Sequence, residues 1–174
     1  MLKLQDITFA IDGKPLLAEA SAVIPAGHKV GIVGRNGTGK TTLFRLIRNE
    51  WSLDSGTIDY PAHYRVGGVE QEAPANNVSL LDTVLAADIE YDALQAEAET
   101  ATDPMRIAEI HTRLSDINAH SAESRAATIL AGLGFDSYAQ ARPCAEFSGG
   151  WRMRVALGAV LFEQPDLLLL DEPT

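Results

Sequence analysis

The sequence is poor in cysteine, in basic residues and in long apolar runs. Its 174 residues include a single cysteine, Cys144, so no internal disulfide can form and nothing indicates an oxidising compartment. Fourteen Lys plus Arg face 24 Asp plus Glu, and this net charge of −10 disfavours a broad electrostatic grip on nucleic acid. No apolar run approaches the ~20 residues of a membrane span, and the N-terminus has no signal-peptide core. We therefore expect a cytoplasmic protein without an integral membrane segment.

Apolar residues make up 46% of the chain and charged residues 22%, which is ordinary for a globular protein. A chain of this length is expected to form one domain that buries roughly 70% of its unfolded surface. The pattern over residues 2–33 predicts a β-rich segment, with a turn at Asp12-Gly13, a second strand over 16–24 and a third over 29–33. A helix over 39–50 follows, and then turns and strands over 52–70.

From residue 80 the spacing of apolar residues changes to that of helices. The first apolar seam alternates three- and four-residue steps, and it contains Val84, Ala87, Tyr91, Leu94, Ala98 and Ala101. The second has the same spacing and contains Ile107, Ile110, Leu114 and Ile117. Asp103 and Pro104 form a good helix start between them. We expect an antiparallel hairpin of helices over 82–101 and 104–131, and a buried parallel strand over 167–170.

The segment 34–42 fits the phosphate-loop pattern G-x-x-x-x-G-K-[ST], with a predicted strand before it and a helix after it. Glycines let consecutive backbone N–H groups point at one phosphate, and the helix N-terminus adds positive potential. Lys40 is expected to reach the β- and γ-phosphates, and the Thr41 hydroxyl is suited to Mg²⁺. The candidate nucleotide-binding residues are Gly34, Arg35, Asn36, Gly37, Thr38, Gly39, Lys40, Thr41 and Thr42.

Two acids follow the apolar run 167–170. A strand that ends in Asp171 would deliver a carboxylate beside Mg²⁺, as nucleotide hydrolases of the phosphate-loop class require. Glu172 could then orient or deprotonate the attacking water.

These motifs, in this order, resemble an ATP-binding-cassette (ABC) domain. Gln71 looks like the family's Q-loop glutamine, and Phe147 with Ser148-Gly149-Gly150 looks like the ABC signature. The final Asp171-Glu172-Pro173-Thr174 matches the extended Walker B motif. The resemblance implies ATP and Mg²⁺ as cofactors, with Thr41, Gln71 and Asp171 at the metal and Glu172 and Gln71 in catalysis. It also implies that Ser148, Gly149 and Gly150 contact ATP held on a partner cassette.

The implied fold is α/β, a P-loop NTPase of ABC type with an N-terminal antiparallel β element and an inserted helical subdomain. We divide it into a β element with the P-loop core (1–77), the helical subdomain (78–147), and the signature helix with the Walker B strand (148–174). The family's D-loop and switch histidine follow Walker B, so we expect an incomplete cassette that binds nucleotide weakly and hydrolyses it poorly by itself. The usual adenine-stacking aromatic is replaced by Ile11, with Phe9 nearby.

Trp151 follows Ser-Gly-Gly where transporter cassettes usually place glutamine, and the run 151–157 resembles the ABC-F family. These tandem-cassette ATPases have no transmembrane domains, and many act on the ribosome. The long hairpin then resembles the arm of a first ABC-F cassette, although it could be the helical subdomain that every cassette has. Two other functions stay open: the ATP-binding subunit of a membrane transporter, and a nucleotide-binding module without turnover.

Charge is concentrated in the predicted hairpin, where 82–126 carries ten acids and three arginines. Such a surface repels RNA phosphates, so it is interpreted as a solvated face, or as one that touches protein or reaches RNA through a few arginines only. Arg152 and Arg154 are equally compatible with a solvated helix face and with a contact to phosphate or a neighbouring domain. Four scattered histidines and Cys144 lack the spacing of a zinc site.

Overall fold

A computed structural model describes residues 1–69 and 72–171. The chain divides into two compact units, Met1–Val66 and Gly67–Thr174. The first contains an antiparallel sheet and one helix, and the second is largely helical. Of the predicted site residues, Gln71 and Glu172 lie outside the described residues.

The sheet of the first unit has the order β2-β1-β3 and is antiparallel throughout. Its strands are β1 (Leu2–Ile11), β2 (Lys14–Ile24) and β3 (Ser55–Asp59). The predicted turn joins β1 to β2, with φ of 49° at Asp12 and 74° at Gly13. Two successive positive φ angles give the type of turn whose twist matches that of a hairpin, which explains the Asp-Gly pair.

A β-bulge at Asp6 reconciles the apolar pattern of β1 with a single buried face. Leu2 and Leu4 are buried, and so is Ile7, which an unbroken two-residue alternation would place on the opposite face. The register with β2 shifts between Leu4 and Ile7, where Asp6 has φ of 46°. The Ser21 hydroxyl accepts a hydrogen bond from the Asp6 amide at 2.8 Å and donates one to its carboxylate at 2.9 Å. The extra residue therefore returns Ile7 to the core face.

The predicted strand over 29–33 is wrong. No ladder pairing is found for 29–33 among the described residues, and Val33 is 98% exposed. A β-branched run has no strand structure without a hydrogen-bonding neighbour, and within residues 1–69 and 72–171 the strands β1, β2 and β3 pair only with one another. The helix α1 (Lys40–Ile47) does form, with Leu46 and Ile47 buried. It ends earlier than predicted because Asn49 takes a left-handed conformation and its N–H donates to the Leu46 carbonyl.

The second unit is built on helices α2, α5 and α7, which pack against one another. Its helices are α2 (Leu80–Leu85), α3 (Ile89–Thr100), α4 (Pro104–Asp116), α5 (Ala122–Gly132), α6 (Ser137–Gln140) and α7 (Gly149–Phe162). The core includes Leu80, Leu130, Phe135, Val155 and Phe162.

The predicted hairpin exists but is shorter than its predicted bounds of 82–131. Its helices are α3 and α4, which are about 18–20 Å long rather than ~30 Å. The Asp88 carboxylate accepts a hydrogen bond from the Tyr91 amide and caps α3, which separates α3 from α2. Asn118, with φ of 54°, separates α4 from α5. Both breaks occur at residues that compete with the helix by capping or by left-handed geometry.

Two short strands, β4 (Val66–Val69) and β5 (Leu167–Leu170), pair with each other. A Cβ at Gly67 would lie 2.8 Å from Val160 and 2.9 Å from Pro165, so only glycine permits this approach. The prediction of a fully buried strand over 167–170 is wrong. Leu169 is buried but Leu170 is 36% exposed, because β4 is the only strand paired with β5 within the described residues.

Candidate nucleotide-binding site

The loop 34–39 leads directly into α1, as the phosphate-loop pattern predicted. Gly37 and Gly39 have φ of 79° and 95°, in the left-handed region that favours glycine. Gly39 is also the N-cap of α1 and makes no side-chain cap, so the first N–H groups of the helix are left for another acceptor. The backbone is therefore arranged as an anion-binding loop at a helix N-terminus.

The side chain of Lys40 folds back over this loop. Its ammonium donates hydrogen bonds to the Gly34 carbonyl at 3.0 Å and the Arg35 carbonyl at 3.3 Å. The Arg35 carbonyl also accepts from the Thr38 hydroxyl at 2.9 Å. A Cβ on Gly34 would lie 2.6 Å from that hydroxyl, so the loop closes tightly at its start. These contacts hold the Lys40 charge at the loop, where phosphate oxygens could replace one carbonyl as acceptor.

Thr41 and Thr42 are the second and third residues of α1, and the Thr41 side chain is exposed. A hydroxyl oxygen at this position suits a hard cation such as Mg²⁺. The donor set of this loop, one ammonium, backbone N–H groups and a hydroxyl, fits a magnesium-bound triphosphate.

The signature residues form the N-terminus of α7. Ser148 is the N-cap and its side chain makes no capping hydrogen bond, while Gly149 and Gly150 are the first helical residues. Arg152 donates from Nη1 to the Phe147 carbonyl at 2.6 Å and from Nη2 to Oε1 of Glu72 at 2.8 Å. Of the two interpretations of Arg152, the solvated face is wrong, since its side chain is 17% exposed.

An aromatic cluster is formed by residues that flank the signature segment and by the ring of Phe135. The buried Phe135 ring makes edge contacts with Phe147 and with Trp151, at centroid distances of 5.8 and 5.2 Å. The Arg154 guanidinium lies 4.6 Å from the centre of the Trp151 ring. Trp151, the residue that separated this sequence from transporter cassettes, thus has a packing role next to Ser148–Gly150.

Asp171, which is predicted to be the Walker B carboxylate, directly follows β5 and is partly buried. Gln71 and Glu172, the two predicted catalytic residues, lie outside the described residues, and their roles stay predictions. The structure thus arranges the phosphate loop within the first unit and the signature segment within the second.

The position expected to carry an adenine-stacking aromatic is occupied by Ile11, which is 37% exposed. Phe9 is already stacked on Trp51 at 5.7 Å, and Arg45 lies 5.1 Å from the Trp51 ring. Phe9 therefore packs within its own unit.

Within the part of the chain that is described, no three His, Cys, Asp or Glu side chains form a group that could hold a metal. Cys144 is buried and its sulfur lies 3.2 Å from the Thr83 hydroxyl. The sequence patterns did not indicate Glu72 as a site residue, although it directly follows the predicted catalytic residue Gln71.

These features define a nucleotide-binding domain of the phosphate-loop class with an ABC signature. A family model described as "ABC transporter" matches residues 17–174, and the chain belongs to this family of ATP-binding cassettes. The chain contains no helix, within residues 1–69 and 72–171, that is long and apolar enough to cross a membrane.

Curated relatives confirm the resemblance to the ABC-F family. The probable ATP-binding protein YheS of Escherichia coli is 47% identical over 162 residues, which cover 91% of this chain and 25% of the relative. The human ATP-binding cassette sub-family F member 3 is 39% identical over 184 residues, which cover 99% of this chain and 25% of the relative. The chain thus spans about a quarter of the length of these relatives.

Solved structures confirm the α/β fold of an ABC cassette. A nucleotide-free ATP-binding cassette from an ABC transporter aligns with a TM-score of 0.68 at 22% identity, covering 100% of this chain and 69% of that one. A dimeric ATP-binding cassette bound to ADP and Pi aligns with a TM-score of 0.63 at 20% identity, covering 100% and 75%.

Proposed function

We propose that the intact protein binds Mg²⁺–ATP and hydrolyses it to drive the conformational cycle of an ABC-F protein. The observation that carries this proposal is the loop 34–39, with its two left-handed glycines and the Lys40 ammonium held over it. Relatives named as ATP-binding proteins support the nucleotide.

Each predicted residue has a role in this proposal. Residues 34–42 hold the triphosphate, and Thr41, Gln71 and Asp171 would hold Mg²⁺, which neutralises charge on the phosphates. Glu172 orients the attacking water, with Gln71 beside it. Catalysis then rests on positioning and electrostatics rather than on a covalent intermediate.

The signature residues Ser148, Gly149 and Gly150 are assigned to ATP on a second cassette. The second cassette lies in the same full-length chain or in a dimer partner, and the 25% coverage of the relatives leaves room for one in the same chain. Dimerisation of the neighbour bound to ADP and Pi supports such a pairing. We further propose that this segment is the first cassette and that α3 and α4 form its arm.

The proposed place of action is the cytoplasm, with the ribosome as partner. Within the hairpin, Arg106 binds Glu97 and Glu109, and Arg113 binds Glu90. Because both arginines are already paired with carboxylates, the hairpin remains an acidic surface and RNA is disfavoured as its contact. A protein component of the ribosome, or solvent, suits this surface better.

The test of hydrolysis compares the intact protein with Glu172→Gln, and with Glu123→Gln as an exposed control. Wild type and control should show Mg²⁺-dependent turnover, and Glu172→Gln should reduce it by about 10²-fold or more. By contrast, the isolated 174 residues should bind nucleotide weakly and turn over poorly. Robust Glu172-dependent turnover by this segment alone would contradict that expectation.

The partner is tested by sedimentation of the intact Glu172→Gln protein with ribosomes in the presence of ATP. ATP-dependent co-sedimentation is expected, and its loss with ADP is the control. Copurification with a membrane permease instead of ribosomes would favour the transporter subunit. A protein that binds ATP but shows no turnover in any assembly would favour the switch without hydrolysis.

A further inference from the structure

Asn36 and Gly37 occupy the middle of a tight turn in the phosphate loop. The Thr38 amide donates a hydrogen bond to the Arg35 carbonyl at 3.3 Å, which closes the turn. Gly37 holds its third position with φ of 79°, a backbone conformation that favours glycine there. Both Asn36 and Gly37 are exposed. The peptide unit that joins them therefore lies at the surface of the loop.

This peptide unit lacks steric and hydrogen-bond protection within the part of the chain that the structure describes. A Cβ added to Gly37 would meet no atom within 4 Å. Among residues 1–69 and 72–171, neither the Asn36 side-chain amide nor the Gly37 N–H has a hydrogen-bond partner. The Asn36 side chain can therefore fold back over the Gly37 nitrogen without breaking a contact, and a glycine presents no side chain to obstruct it.

The other asparagines of the chain are placed differently. None is followed by glycine, and they are Asn49, Asn76, Asn77 and Asn118. Asn49 is the best comparison because it lies in the same unit and also has a positive φ, of 58°. Its Nδ2 donates to the Tyr60 hydroxyl at 3.3 Å, and the Glu50 amide that follows donates to the Arg45 carbonyl at 3.0 Å. Hydrogen bonds thus hold both the side chain and the next nitrogen at Asn49.

We propose that Asn36 is a site of spontaneous deamidation, which inactivates the phosphate loop and against which bound nucleotide protects. The Gly37 nitrogen forms a bond to Cγ of Asn36, the Cγ–Nδ2 bond breaks, and ammonia leaves with the proton of the Gly37 nitrogen. Solvent water then opens the cyclic imide. Water attack at Cγ gives aspartate at position 36, whereas attack at the main-chain carbonyl carbon gives isoaspartate, in which the chain runs through Cγ.

Both products place a carboxylate in a loop whose proposed ligand is a triphosphate. Like charges repel, and the Lys40 ammonium, now bonded to the Gly34 and Arg35 carbonyls, can pair with the new carboxylate instead of with phosphate. Isoaspartate also lengthens the main chain within the loop, which displaces the N–H groups that follow it. The effect on binding rests on the proposed function, since it assumes phosphate at residues 34–39, but the deamidation itself does not.

Bound nucleotide is expected to slow the reaction. Phosphate oxygens that accept hydrogen bonds from the N–H groups of the loop would hold the Gly37 nitrogen and oppose its attack on Cγ. Only the nucleotide-free fraction then reacts. A nucleotide at about ten times its Kd should therefore slow deamidation of Asn36 about tenfold.

The test incubates the intact protein in mildly alkaline buffer, with and without Mg²⁺ and a non-hydrolysable ATP analogue. Peptide mass mapping follows the replacement of amide by carboxylate at positions 36 and 49. Without nucleotide, Asn36 should react on the order of tenfold faster or more than Asn49, because hydrogen bonds hold the Asn49 site. The analogue should slow Asn36 and leave Asn49 unchanged. Equal rates at the two positions would overturn the proposal.

Two variants test the effect on binding. Asn36→Asp installs one product directly and should weaken binding of a fluorescent ATP analogue on the order of tenfold or more. Wild type should lose binding capacity in step with deamidation. Asn36→Gln, whose longer side chain must close a larger ring, should keep its own initial capacity over the same incubation. Unaltered affinity in Asn36→Asp, or an equal loss with time in Asn36→Gln, would contradict inactivation through this residue.

The outcomes separate this inference from the proposed function. Fresh intact protein that does not bind Mg²⁺–ATP would overturn the proposed function, while mass mapping without nucleotide still decides whether Asn36 deamidates. Fresh protein that binds Mg²⁺–ATP, but in which Asn36 reacts no faster than Asn49 or gains no protection from the analogue, would overturn this inference alone.

Discussion

Arg106 donates two hydrogen bonds to Glu97, from Nε at 2.6 Å and from Nη2 at 2.8 Å, across the α3–α4 hairpin. Seven positions later on α4 and seven positions earlier on α3, Arg113 makes the same two-point contact with Glu90. The spacing equals the heptad of the apolar seam, so both ion pairs flank the same interface. Acidic α3 and the arginines of α4 thereby fix the register of the hairpin.

These ion pairs predict a pH dependence of the hairpin. Hydrogen bonds from Arg113 and Arg106 are the main cause that lowers the pKa of Glu90 and of Glu97 below the usual 4.5. Because the folded pKa lies below the unfolded one, the stabilisation is present above the unfolded pKa and is lost as pH falls through the folded value. Carboxyl NMR titration should find both pKa values below 4.5, with hydrogen exchange of α3 and α4 rising in that acid range.

The control for this titration is Arg113→Gln. It should return the pKa of Glu90 toward its usual value and leave that of Glu97 low. A Glu90 pKa that stays low in this variant would assign the shift to another cause.

The apolar seam of the hairpin predicts that buried and exposed residues of α4 differ in their effect on the free energy of unfolding. Ile110 is 1% exposed and Met105, five residues earlier on α4, is 75% exposed. Ile110→Ala removes buried apolar volume and should lower the free energy of unfolding by about 2–5 kcal/mol. Met105→Ala should change it by less than about 0.5 kcal/mol, as surface substitutions usually do. Urea unfolding followed by circular dichroism measures both, and equal effects would contradict the seam.

Much of this architecture could be predicted from local sequence, because turn conformation and helical periodicity depend on residues that are close together in the chain. The positive φ angles at Asp12 and Gly13 follow from the residue types, and the seam that buries Ile110 follows from helical spacing. The break at Asp88 was missed because an aspartate in a helical pattern can also be an N-cap. The Glu72–Arg152 contact joins residues 80 positions apart, and nothing in local spacing indicates it.

The phosphate loop predicts a charge-specific loss of nucleotide affinity. Lys40→Met removes the ammonium that now bonds the Gly34 and Arg35 carbonyls. Loss of a charge-assisted contact of about 1.5–3 kcal/mol should weaken Mg²⁺–ATP binding on the order of 10–100-fold. Lys29→Met, at an exposed position before the loop, is the matched control and should bind normally. Equilibrium binding of a fluorescent ATP analogue to the intact protein measures the affinity of both variants, and equal affinities would contradict the prediction.

Trp151 predicts a stability effect that separates its packing role from any contact with nucleotide. Its ring lies edge-on to Phe135 at 5.2 Å and beneath the Arg154 guanidinium at 4.6 Å, while 40% of the residue remains exposed. Trp151→Gln installs the residue usual in transporter cassettes and removes both contacts. Since an aromatic pair and an exposed cation–π contact each contribute roughly 0.5–1.5 kcal/mol, we expect a loss of about 1–2 kcal/mol in unfolding free energy.

Two further variants make this prediction specific. Trp151→Phe keeps an aromatic partner for Phe135 and should recover most of the loss, whereas Tyr138→Gln, at a residue 76% exposed in the same unit, should have little effect. Chemical denaturation of each variant gives the comparison. Unchanged stability in Trp151→Gln would contradict the packing role and leave contact with a partner as the reason for tryptophan at this position.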